Sequence, residues 1–213
     1  MSGRPHQLTH VVLGDPPDAW RSAGFDVDGS GRFRLGATEV LCLDSGTPGF
    51  VGWALDGVGV DLDGLTTVDS RAPEATARVP AEHPNGIVSI DHVVVRAGDC
   101  DRTVAAFESA GLEVRGGRAT TSYGAPMRQT FFWAGDVIVE LVGPDDGEPT
   151  TEEPTSVFGL ALVAADIDAT AARLGPLLGT PKDAVQEGRQ ITGLRHRDAG
   201  IGLPVAVMSP HRR

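Results

Sequence analysis

Three residues in this chain combine useful chemistry with an awkward setting. His92 sits in Val88-Ser89-Ile90-Asp91-His92-Val93-Val94-Val95, and Glu140 sits in Val137-Ile138-Val139-Glu140-Leu141-Val142. Both runs have the β-branched, apolar composition of buried strands. A carboxylate in such a run costs on the order of several kcal/mol unless a cation or hydrogen-bond donors compensate it. Histidine and glutamate are also hard-to-borderline metal ligands. His10, in Leu8-Thr9-His10-Val11-Val12-Leu13, is the third residue of interest. Two histidines and one carboxylate with open positions suit a Lewis-acid or redox metal. Each residue also has a plainer reading. His92 could be held by a backbone carbonyl, Glu140 could pair with His92 or Arg128 without a metal, and His10 could lie partly exposed near the chain start.

The elements that must position these residues recur along the chain. Ile90 to Val95 reads as a strand, Asp99 as a helix cap, Asp101 to Ala110 as a helix, and Leu112 onward as the next strand. Arg128 to Trp133 and Asp136 to Val142 complete that set. The first part of the chain follows the same plan: Thr9-His10-Val11-Val12 matches Asp91-His92-Val93-Val94. Likewise Ser22-Ala23-Gly24-Phe25-Asp26-Val27 matches Ser109-Ala110-Gly111-Leu112-Glu113-Val114. Here Asp15 is the expected cap of a short helix from Asp18 to Ala23, Phe25-Asp26-Val27 starts a strand, and Arg32 to Leu35 and Thr38 to Leu43 follow. A third copy runs from Val157 to Met208, with Asp166 capping a helix through Leu174 and strands at Gly188 to Leu194 and Leu203 to Met208. Phe50 to Leu55 resembles Phe158 to Leu162 and reads as the stump of a further copy. Internal repetition of this kind decides architecture more firmly than any single propensity.

The expected fold class is therefore α+β, with βαβββ modules pairing into curled mixed sheets around a cavity. The expected limits are an N-terminal module over 1–65, a polar Pro-containing linker over 66–86, and a domain over 87–213 built of modules 87–146 and 156–210. The acidic, Pro- and Gly-rich stretch from Asp145 to Thr155 reads as a solvated loop.

Bulk composition narrows the partners. The 213 residues carry a formal net charge of -11, which speaks against nucleic acid and anionic membranes. No apolar stretch approaches the roughly 20 residues of a membrane span, and the N-terminus has no signal-peptide pattern, so the expected location is cytoplasmic. Two cysteines cannot build a disulfide framework or a cysteine-only zinc site. The arginines toward the C-terminus, Arg189, Arg195, Arg197, Arg212 and Arg213, read as a solvated edge. Phosphate loops and nucleophile elbows are missing from the sequence.

This repeating unit, with histidine on its first strand and glutamate on its last, resembles the vicinal oxygen chelate superfamily of glyoxalases, bleomycin-resistance proteins and extradiol dioxygenases. The resemblance covers most of residues 88–210 well and residues 7–64 less well. It places His92 at the first-strand ligand position and Glu140 at the last-strand ligand position. The third repeat has Gly159 and Ala206 there, and the first has His10 with Leu41 or Cys42. If the second and third repeats pair, two protein ligands are available; if the first and second pair, His10, His92 and Glu140 make three.

The resemblance implies a glyoxalase-like protein acting on a small oxygenated metabolite. One reading is a lyase, isomerase or dioxygenase using a divalent metal (Zn, Ni, Fe or Mn), with Glu140 catalytic. The other is a metal-free, bleomycin-resistance-type protein that binds a small molecule without catalysis. Arg128, Gln129 and Trp133, on the third strand of the second repeat, are the candidate ligand-binding residues. Arg128 and Gln129 face opposite sides of the strand, so one of the two can reach the cavity. A homodimer is left open as the assembly.

Overall fold

The computed structural model describes residues 6–59, 61–68, 81–121, 125–145 and 154–211. Tyr123, Arg212, Arg213, most of the expected linker and most of the acidic loop lie outside these residues. The elements are β1 (Leu8–Leu13), α1 (Pro17–Ser22), β2 (Arg32–Leu35), β3 (Thr38–Cys42), β4 (Phe50–Leu55), β5 (Ile87–Arg96), α2 (Cys100–Ser109), β6 (Val114–Thr120), β7 (Met127–Ala134), β8 (Val137–Pro144), β9 (Ser156–Ala164), α3 (Ile167–Leu174), β10 (Lys182–Asp183), β11 (Gln190–Leu194) and β12 (Val205–Met208). The class is α+β with mixed sheets. Among the described residues no helix is long and apolar enough to cross a membrane. By contact the chain divides into two compact units. Unit 1 comprises Met1–Thr9, Gly52–Ser70 and His92–Phe158, and unit 2 comprises His10–Val51, Arg71–Asp91 and Gly159–Arg213.

Unit 1 contains the second repeat. Its strand order is β5-β8-β7-β6, with β5 parallel to β8 and antiparallel pairs beyond. The parallel pair requires a crossover, and α2 is part of it. Asp99 starts that helix as expected, its Oδ1 accepting from the Arg102 N–H at 3.0 Å. Phe107 of α2 packs on Phe132 of β7 with ring centroids 5.1 Å apart, and Trp53 closes the cluster at 6.3 Å from Phe107. Val93, Val95, Val139 and Leu141 are buried on alternate strand positions with them. The period of two then sends His92, Val94, Arg96, Glu140, Val142 and Gln129 to the opposite face. The edge strand β6 approaches β7 closely at Gly117, where a Cβ would stand 2.7 Å from the Gln129 carbonyl oxygen.

Unit 2 contains the third repeat and most of the first. The third has the order β10-β11-β12-β9, with β9 parallel to β12, and Asp166 caps α3 through the Ala169 N–H at 2.9 Å. The first has β1 parallel to β3 and β2 antiparallel to β3. The same register recurs in every copy. Val94, two residues after His92, pairs with Glu140; Ala161, two after Gly159, pairs with Ala206; Val12, two after His10, pairs with Leu41. The repeats therefore correspond residue by residue, and Leu41 rather than Cys42 stands in the carboxylate position.

Three local expectations give way to stronger interactions. Phe25-Asp26-Val27 is not a strand. The Asp26 N–H donates to His83 Nδ1 at 3.2 Å, and Phe25 packs against Trp20 and His83, so the segment is held by side chains instead of a ladder. Asp15 does not cap α1, whose N-cap is Pro16. Its buried carboxylate instead accepts from Trp20 Nε1 at 2.9 Å and from the backbone N–H groups of Gly49 and Gly202 at 2.6 and 3.1 Å. Arg189 is not a solvated edge residue: it is 2% exposed, and its Nη2 donates to Asp91 Oδ1 at 2.7 Å. The end of the expected linker is also built into the core. His83 and Asn85 are buried, and Asn85 Nδ2 donates to the Ala23 carbonyl at 2.9 Å.

Candidate functional site

The face of the unit 1 sheet turned away from α2 gathers the chemistry. His92 on β5 and Glu140 on β8 lie on adjacent parallel strands, with His92 Nε2 3.5 Å from Glu140 Oε2. That separation exceeds a normal hydrogen bond. The other carboxylate oxygen, Oε1, accepts from Gln129 Nε2 of β7. Gln129 Oε1 in turn accepts from Arg118 Nε of β6 at 2.5 Å. The result is a relay across three strands, from guanidinium to amide to carboxylate, with the imidazole of a fourth strand 3.5 Å beyond it. It explains how Glu140 persists among apolar neighbours while only 9% exposed. A buried carboxylate is tolerable when donors and a nearby cation compensate it, and Gln129 and Arg118 do so here.

The same face carries a cavity of about 350 Å³ lined by Val94, Arg96, Met127, Val142 and Phe158. Register connects the cavity to the relay. Val94 pairs with Glu140, and Val142 pairs with both Gln129 and Arg96. Side chains of directly paired residues share a face, so the carboxylate lies on the cavity's side of the sheet next to Val94, and is not itself one of the lining residues. Phe158 is 51% exposed and forms the rim.

The other expected site residues fall elsewhere. Trp133 is on the same face, with Arg115 over its ring at 5.6 Å from the centroid. Arg128 points to the helix side, where its Nη2 donates to Asp101 Oδ1 of α2 at 2.6 Å. Gln129, not Arg128, therefore shares the face of Glu140. His10 belongs to unit 2 and pairs in register with Glu39, whose carboxylate accepts from Arg32 Nη1 at 2.5 Å. Cys42 is buried, and burial first, then the nearby Asp15 charge, pushes its thiol up to about 12. A thiol so placed is neither a nucleophile nor a ready ligand.

A metal centre is the group this kind of site implies, and the donor set does not complete one. Among the described residues no three His, Cys, Asp or Glu side chains are grouped to hold a metal ion. Gln129 could extend the His92–Glu140 pair, but its oxygen is taken by Arg118. The equivalent positions in the other repeats offer His10, Leu41, Gly159 and Ala206, of which His10 alone carries a ligand group. Gly159 is closed to any side chain, because a Cβ there would lie 2.5 Å from the Pro204 carbonyl oxygen.

Arg96, Arg118 and the lining residues Val94, Met127, Val142 and Phe158 were not expected from the sequence. Their signal was the alternation itself: positions 94 and 96 share a face with His92, 142 with Glu140, and 127 with Gln129.

No family model matches the chain, and no curated protein matches its sequence. Solved structures do match. Catechol 2,3-dioxygenase aligns with a TM-score of 0.60 at 13% identity, over 98% of this chain and 89% of that one. A triple variant of 4-hydroxymandelate synthase from Streptomyces coelicolor aligns with a TM-score of 0.58 at 14% identity, over 96% of this chain and 92% of that one. Methylmalonyl-CoA epimerase from Mycobacterium tuberculosis covers 60% of this chain and 91% of its own length, with a TM-score of 0.48 at 19% identity. Alignment over nearly the whole chain joins the residue-by-residue register of the three repeats, and together they show that the chain has the fold of the vicinal oxygen chelate superfamily.

Proposed function

We propose that this protein binds a small oxygenated metabolite in the cavity beside Glu140, and that it does so without a metal. The observation that carries this reading is the unequal treatment of the two carboxylate oxygens. Oε1 is held by Gln129, whereas Oε2 meets the long approach of His92 at 3.5 Å. An oxygen oriented in this way, on the sheet face that carries the cavity and next to its lining residue Val94, accepts a hydrogen bond from a ligand hydroxyl that reaches it. Where the ligand carries an acidic C–H beside a carbonyl, the same oxygen is positioned as a general base. In that case His92, within reach of the same oxygen, steadies the proton and the activity is an isomerisation or an elimination. Closure of the Gly159 position and the apolar residues Leu41 and Ala206 support a role without metal.

The test is a thermal-shift screen of small hydroxy and keto acids against protein held in EDTA, with metal content measured in parallel. Hits that survive EDTA and disappear in Glu140→Ala are expected, with metal far below one equivalent in both wild type and a His92→Ala/Glu140→Ala variant. Hits that vanish with EDTA and return with added zinc, nickel, iron or manganese would overturn the proposal.

A further inference from the structure

A second cavity, of about 400 Å³, lies wholly within unit 2, where the β10–β11 hairpin meets the residues that follow β12. Asp183, Arg189, Gln190, Ser209, Pro210 and His211 line it. Asp183 and Gln190 are paired in register on antiparallel strands, so their side chains share a face. The ladder continues beyond β11: the Ser209 N–H donates to the Gln190 carbonyl at 3.0 Å, and the Gln190 N–H donates to Ser209 Oγ at 2.9 Å. Arg189 fastens this edge, its Nε and Nη2 both donating to the Ser209 carbonyl and its Nη2 also to Asp91.

These bonds decide which groups the cavity has left for a ligand. The Arg189 charge is matched by Asp91, and its Nη1 faces Gln186 Oε1 at 3.4 Å and His211 Nε2 at 3.2 Å, so it is not an available cation. A guanidinium only donates, so His211 Nε2 accepts and the N–H of the ring is on Nδ1. Ser209 Oγ accepts from the Gln190 N–H and keeps its own hydroxyl proton to donate. The Gln190 side-chain amide and the exposed Asp183 carboxylate have no hydrogen bond or ion pair among the described residues. One unmatched carboxylate beside neutral hydrogen-bonding groups favours a cationic, hydroxylated ligand and disfavours an anion.

We infer that unit 2 holds a second binding site, for a small primary ammonium compound that carries hydroxyl groups. The ammonium meets Asp183, and the hydroxyls meet Gln190, Ser209 and His211. The formal net charge of -11 favours the approach of a cation. The inference uses none of the residues around Glu140 and stands or falls apart from the proposed function.

The test uses rigid cyclohexane probes read by ligand-observed NMR: trans-4-aminocyclohexanol, cyclohexylamine, trans-1,4-cyclohexanediol and trans-4-hydroxycyclohexanecarboxylate. Probes of roughly eight heavy atoms bind in the millimolar range when they fit. The amino alcohol is expected to bind most tightly. Its margin should be about fivefold over the diol, which lacks the charge, and about fivefold over cyclohexylamine, which lacks the hydroxyl. Asp183→Asn should bring the amino alcohol to the level of the diol and leave the diol unchanged, whereas Asp183→Glu should keep most of the preference. Gln190→Met should bring the amino alcohol toward the level of cyclohexylamine. Asp183 is exposed, so its variants keep their fold, and a thermal melt of each variant verifies this. The carboxylate probe binding as tightly as the amino alcohol would overturn the inference, as would Asp183→Asn binding the amino alcohol like wild type. No binding by any probe up to about 20 mM would overturn it as well.

Discussion

His92 and Glu140 come from strands separated by a whole helix and two further strands, yet their side chains stand 3.5 Å apart on one face of a sheet. The parallel pairing of β5 with β8 brings them together, and the relay through Gln129 to Arg118 holds the carboxylate in place.

That relay should behave as one device. Gln129→Met removes the amide that links Arg118 to Glu140 and leaves a buried carboxylate oxygen without its donor. A loss of about 1–3 kcal/mol in urea unfolding is expected. Arg118→Met should cost less alone, and the double variant should cost less than the sum of the two. A double-mutant cycle showing additivity within about 0.3 kcal/mol would mean that the residues act separately.

The Arg189–Asp91 pair lies within unit 2, with side chains 2% and 4% exposed. Arg189 Nη2 and Nε also donate to the Ser209 carbonyl at 2.8 and 3.0 Å. Removing the cation takes from a buried carboxylate its shortest ion pair and leaves His211 Nε2 at 3.6 Å. Arg189→Met is expected to destabilise by about 3–5 kcal/mol, and adding Asp91→Asn should recover a good part of that. Equal stabilities of the single and double variants in chemical denaturation would show that Asp91 finds compensation elsewhere.

His83 should make stability depend on pH near neutrality. Its Nε2 is 2.8 Å from the Arg34 carbonyl, its Nδ1 accepts from the Asp26 N–H, and its ring packs against Phe25 and Phe33. Burial lowers its pKa below the ordinary histidine value and outweighs the Arg34 carbonyl and the Asp26 charge, which act the other way. The folded state therefore holds the ring neutral where the unfolded chain, with a pKa of about 6.5, takes up a proton. Unfolded protein binds more protons in that window, so stability falls as the pH drops from about 6.5 toward the depressed folded value. Urea midpoints at two pH values on either side of about 6.5 should differ in wild type, and the difference should shrink in His83→Gln. An unchanged difference would place the effect on other groups.

Much of the fold was legible because the repeats encode it locally. Apolar runs of β-branched residues, Asp99 and Asp166 as caps, and the matching Thr9–Val12 and Asp91–Val94 segments need no distant partner to be recognised. Asp15 and Phe25-Asp26-Val27 were misleading for the opposite reason. Their polar groups are satisfied by Trp20, Gly202 and His83, contacts that exist only once the chain has folded. Arg189 looked like a surface arginine because the carboxylate that holds it is not one of its sequence neighbours. Its partner, Asp91, is 98 residues away.

The sequence by itself determined the α+β class, the βαβββ repetition, and His92 and Glu140 as matched first-strand and last-strand positions of one repeat. Period and composition carry that information, and both are properties of neighbouring residues. The tertiary structure decided what surrounds Glu140. Strand order set β7 against β8, which gave the carboxylate Gln129 and Arg118 as partners and sent Arg128 to Asp101 on the other face. Register placed Val94 and Arg96 level with Glu140 and Val142, so that the carboxylate shares its sheet face with the lining residues of the cavity. A hydrogen bond or a cavity forms between strands far apart in the chain, and only their pairing in space specifies it.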